Sequence, residues 1–83
     1  MVSKERQKLT LDRKAAYRIS VPGHLDPHWM EWGSEIKVTA GSDDSGQPLS
    51  TLTGVFDQAA LLGLLRRLYA MGLPLISVTC LEV

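Results

Sequence analysis

The stretch Asp57–Gly72, DQAALLGLLRRLYAMG, decides the fold, because it is the densest apolar run of the chain. Asp57 is a residue type that caps a helix start, accepting from the first free N–H groups and sitting at the positive end of the helix dipole. Gly72 suits the position just past the end. Ala60, Leu61, Leu64, Leu65, Leu68 and Tyr69 recur at spacings of three and four, which predicts one apolar face, with Gln58, Arg66 and Arg67 mostly off it. Gly63 costs about 1 kcal/mol against alanine inside a helix, so a close neighbour is expected there.

Outward from this helix, the patterning changes to strands. Upstream, Leu49 to Phe56 sets Thr51 and Thr53 on one side and Leu52 on the other, with Gly54 expected at a bulge or close approach. GSDDSGQP, Gly41 to Pro48, is composed of turn formers and reads as a mobile hairpin loop. Ile36, Val38 and Ala40 alternate with Glu35, Lys37 and Thr39, and Tyr17, Ile19 and Val21 alternate with Arg18 and Ser20; both are half-buried strand patterns. Between them HLDPHWMEWG reads as a short helix capped by Asp26, with Pro27 at its first position and Gly33 after its end, so that Trp29 and Trp32 share a face. Downstream, Pro74 blocks the helix and Leu75 to Glu82 reads as a last strand.

The order β, short α, β, β, long α, β predicts an α+β, ferredoxin-like β-α-β-β-α-β sandwich, a four-stranded antiparallel sheet with both helices on one face. The other face would present Arg18, Ser20, Lys37, Thr39, Thr51 or Thr53, Ser77 and Thr79, either solvated or paired with another copy.

Eighty-three residues, 45% hydrophobic, make one domain. A chain of this size buries only about 60 to 65% of its unfolded surface, so oligomerisation is a natural supplement and a homodimer is expected. Residues 1–15 are expected to form a disordered basic arm and residues 16–83 the domain. Met1 to Lys14 carries a charge of +3 and the rest −3, giving the chain's net charge of zero. The arm could touch nucleic acid, but an acidic body lacks the basic stripe of a dedicated nucleic-acid domain. The lone Cys80 has no disulfide partner in the chain. With no signal peptide and no apolar run near the roughly 20 residues that span a membrane, the expectation is a soluble cytoplasmic protein.

GHLDPHWMEW and TLTGVFDQAALLGLLRRLYAMGLPLISV together resemble a group of short bacterial proteins of unknown function, over Tyr17 to Val83. The resemblance implies the same compact fold and lends no activity. The sequence departs from the group at Leu62, where relatives often have His, and at Val55, where Pro is common. At fold level the order of elements is similar to ACT-like regulatory modules.

His24, Asp26 and His28 are the one cluster of metal-compatible side chains, an H-x-D-x-H run suited to zinc chemistry; helix capping by Asp26 is the preferred account. Trp29 and Trp32 could stack a planar ligand, though two tryptophans on one short helix more often anchor a core or interface. Arg66 and Arg67 could meet a carboxylate or phosphate, against the plainer account of a solvated helix face. No cofactor is implied. The first expectation for function is a non-enzymatic interaction or small-ligand-binding module, with Trp29, Trp32, His24, Arg66 and Arg67 as its candidate surface. The alternatives are a metal-dependent or acid–base enzyme using His24, Asp26 and His28, and a nucleic-acid-associated protein acting through the basic arm.

Overall fold

The computed structural model describes residues 8–25 and 36–82. Four strands, β1 (Ala15–Pro22), β2 (Lys37–Ser42), β3 (Pro48–Phe56) and β4 (Ser77–Cys80), and one helix, α1 (Gln58–Ala70), follow in the order β1-β2-β3-α1-β4. The strands form one sheet, ordered β2-β3-β1-β4, with antiparallel neighbours throughout. The α+β class and the four-stranded antiparallel sheet therefore match the sequence reading. The short helix expected around Asp26 to Trp32 lies outside the described residues.

Local chemistry explains the helix boundaries. Asp57 is extended, and its Oδ1 accepts from the Ala60 N–H at 2.9 Å. At the other end Gly72 adopts φ +78°, a left-handed conformation open to glycine without strain. The Gly72 N–H reaches the Tyr69 carbonyl and the Leu73 N–H the Leu68 carbonyl, which satisfies two of the free terminal groups.

The core lies between α1 and one face of the sheet. Ala15, Tyr17, Ile19 and Val21 from β1, Leu52 and Phe56 from β3, and Leu61, Leu64 and Leu68 from α1 are buried together. The helix face is narrower than the spacing predicts: Leu65 is only partly buried, Ala60 is exposed and Tyr69 is 83% exposed. With Leu61, Leu64 and Leu68 turned inward, positions 62 and 69 fall on the flank, where Leu62 is also half exposed. Gly63 has no close neighbour either, since a Cβ there would meet nothing within 4 Å.

Of the bulge or close approach expected at Gly54, the bulge is excluded. Gly54 pairs with Tyr17 in a register that runs unbroken from Ala15↔Phe56 to Pro22↔Leu49, so β3 has no bulge. The β2–β3 connection forms the expected hairpin turn. Asp43 Oδ1 accepts from the Ser45 and Gln47 N–H groups at 2.9 Å each, and Gly46, at φ +84°, donates to the Asp43 carbonyl. This Asx-type bonding gives the turn its own scaffold.

Candidate functional site

Strand alternation delivers α1 to one side of the sheet and, among the described residues, leaves the other bare. Cross-strand pairing arranges the bare side in rows, Lys37–Thr53–Arg18–Thr79 and Thr39–Thr51–Ser20–Ser77. Six hydroxyls thus lie in a grid with two cations, and none of the strand residues on that side is acidic. Of these residues Ser20, Thr51 and Thr53 are partly buried by their neighbours and the rest are exposed. A surface of short β-propensive hydroxyl side chains is flat and costs little side-chain entropy to cover.

The candidate residues read from the sequence do not converge on one site among the described residues. His24 is exposed and its Nε2 lies 3.0 Å from the Gly41 carbonyl oxygen. A carbonyl only accepts, so Nε2 carries the hydrogen and only Nδ1 remains for a ligand. Asp26, His28, Trp29 and Trp32 lie outside the described residues. Among those described, no three His, Cys, Asp or Glu side chains are grouped to hold a metal ion. Arg66 and Arg67 are exposed on α1, and Arg67 stands in its last turn, where a cation suits the negative end of the helix dipole.

A second polar group, absent from the sequence reading, sits at the end of the sheet nearest the helix start. The Tyr17 hydroxyl accepts from Gln58 Nε2 at 2.7 Å, across 41 positions of sequence. Tyr17 is 4% exposed, and its ring packs tilted against Phe56, with ring centroids 6.5 Å apart. Desolvation pushes the Tyr17 phenol above its ordinary range, and its cross-strand neighbour Cys80 pushes in the same direction. Below it, Arg13 pairs with Glu82 Oε1 at 3.0 Å, while Glu82 Oε2 accepts from the Ala16 N–H at 3.0 Å. The Leu11 carbonyl accepts from the Gln58 N–H. The stretch read as a basic arm therefore meets the body at Leu11 and Arg13, and β1 already begins at Ala15. A shallow cleft of about 340 Å³ lies beside this group, lined by Leu9, Thr10, Leu11 and Gln58.

A family profile described as a domain of unknown function, DUF8691, matches residues 16–79. The chain belongs to this family. The DUF8691 span holds α1, β2 and β3 entire and nearly all of β1 and β4, so the bare face lies inside it, as does the Tyr17–Gln58 bond. Arg13, Cys80 and Glu82 fall outside the span. No curated protein and no solved structure matches the chain. No helix among the described residues is long and apolar enough to cross a membrane.

Proposed function

We propose that this DUF8691 domain is a non-enzymatic interaction module that self-associates as a homodimer and offers its bare sheet face to a protein partner. The observation that carries the reading is that face: a grid of hydroxyls with Arg18 and Lys37 and no carboxylate, uncovered by any described element. Its chemistry fits an acidic protein surface, which would supply the missing negative charge. The small core argues in the same direction, since a domain of this size gains much from covering further surface.

The fold we propose is the full ferredoxin-like sandwich. The connection from β3 to β4 carries α1, skips one strand and joins parallel strands, as that arrangement requires. Leu25 and Ile36, which flank residues 26–35, both pack against the core. The lone thiol is in keeping with a reducing, cytoplasmic setting.

A small-ligand role has one specific support, the cleft at Gln58, whose volume is at the low end for such sites. The enzyme reading is weakened by the bond between His24 and the Gly41 carbonyl, and the nucleic-acid reading by the engagement of Arg13 with Glu82. Sedimentation equilibrium over a range of concentrations tests the self-association. A mass of 9.1 kDa at every concentration refutes it.

A further inference from the structure

We propose that two copies of the chain join through the outer edge of β4, strand to strand about a two-fold axis, to make one continuous eight-stranded sheet. The proposal rests on the self-association reading above and assigns its surface.

Strand β4 ends the sheet: it pairs with β1 on one side, and no described strand pairs with the other. The Leu81 N–H donates to the Ala16 carbonyl at 2.8 Å, and Tyr17 faces Cys80 while Ile19 faces Val78. Alternation along an antiparallel ladder then turns the backbone groups of Ser77 and Thr79 towards β1 and those of Val78 and Cys80 outward. Edges are normally protected by charge, proline or bulges. The opposite edge, β2, carries Lys37 and leads into Asp43 and Asp44. The β4 edge has no such protection: from Leu73 to Leu81 there is no charged residue, and the strand itself has no proline.

The side chains along this edge are also uncovered. Leu75, Ile76, Val78 and Leu81 are 45%, 56%, 39% and 40% exposed. Val78, opposite Ile19, falls on the α1 side, so pairing with a second strand would extend the apolar layer past Ile19 and shelter Val78.

Charge selects a second copy at this edge. About a two-fold axis residue i of one strand meets residue j of the other and j meets i, and between Leu73 and Leu81 every such meeting is between neutral residues. Packing two bare sheet faces together would instead bring Arg18 and Lys37 from both copies into one desolvated layer with no carboxylate to receive them, which is costly. Self-association therefore uses the edge and leaves the bare face open.

Sedimentation equilibrium and amide exchange test the assignment on the full chain. Val78→Lys places a charge on the edge at an already exposed position, and Val78→Pro removes one outward N–H without touching the ladder to β1. Each weakens association by about tenfold or more, whereas Thr51→Arg on the bare face leaves it unchanged. In the unaltered chain, exchange at Val78 and Cys80 slows as concentration rises. If Val78→Pro fails to fold, Val78→Lys decides, with circular dichroism confirming its fold. A dimer that ignores the Val78 variants, or one that Thr51→Arg abolishes, overturns the edge assignment and leaves self-association standing. A chain monomeric at every concentration overturns both.

Discussion

Replacing Ser50 with alanine removes one oxygen from the interior, and the loss should be large for so small a change. Ser50 is fully buried, opposite Val21 in the β1–β3 ladder. Its hydroxyl donates to the Gly23 carbonyl at 2.7 Å and accepts from the Leu25 N–H at 2.8 Å. The same turn is tied again by the Gly23 N–H to the Pro48 carbonyl at 3.0 Å. Each hydrogen bond contributes about 0.5 to 1.5 kcal/mol net, and a buried group left without a partner costs about 1 to 3 kcal/mol. The Leu25 amide is only partly buried and can regain some solvent, so the expected loss for Ser50→Ala is about 2 to 3 kcal/mol. In a domain of this length that lowers Tm by roughly 10 to 20 °C. Urea unfolding followed by circular dichroism measures it, with Thr51→Ala as the control, because Thr51 faces the bare side and should change stability by less than about 0.5 kcal/mol. A loss below about 0.5 kcal/mol for Ser50→Ala would mean that the hydroxyl does not hold the turn.

Gly63→Ala should stabilise the domain by about 0.5 to 1 kcal/mol, since the position is exposed, inside α1 and open around the added methyl; thermal melting that shows no gain would contradict this. Leu68→Ala removes a side chain with no exposure and should cost about 2 to 5 kcal/mol, whereas Tyr69→Ala should cost less than about 0.5 kcal/mol; chemical denaturation that ranks them the other way would show that the helix is turned differently. The Tyr17 phenol is raised above its ordinary value of 10.0 by desolvation, so the folded chain keeps that proton longer than the unfolded one. Its contribution is complete below the ordinary value and is lost as pH climbs through the raised one, so denaturation midpoints should fall from about pH 10 upward, and Tyr17→Phe should flatten that fall. An alkaline slope unchanged in Tyr17→Phe would assign the effect elsewhere.

What was legible in the sequence is what short-range chemistry determines. Asp57 and Gly72 mark a helix through contacts within a few residues, and the alternation of Tyr17, Ile19 and Val21 selects the buried side of β1 without knowledge of its neighbours. Composition could not reveal how far the helix is turned about its axis. Tyr69 is apolar enough to join the core stripe, yet it lies on the flank because β3 meets α1 along Leu61, Leu64 and Leu68. Ser50 reads as one more polar strand residue, and only the fold brings the Gly23 turn over it. The contacts Tyr17–Gln58 and Arg13–Glu82 join residues 41 and 69 positions apart, and no local pattern announces them. The bare face was readable, because period-two alternation fixes both sides of a sheet at once. The edge of β4 was not, because strand order is a property of the whole chain.

The Asp43 turn bears on the order in which the sheet is assembled. Its hydrogen bonds span at most four positions, so pairing β2 with β3 requires the closure of only a small loop. Joining β1 to β3 or to β4 requires bringing together positions as distant as Tyr17 and Cys80. The hairpin is therefore expected to form early and to serve as the template on which the remote strands collect. Weakening the turn at Asp43 should slow folding, whereas loosening the late Arg13–Glu82 clasp should chiefly hasten unfolding.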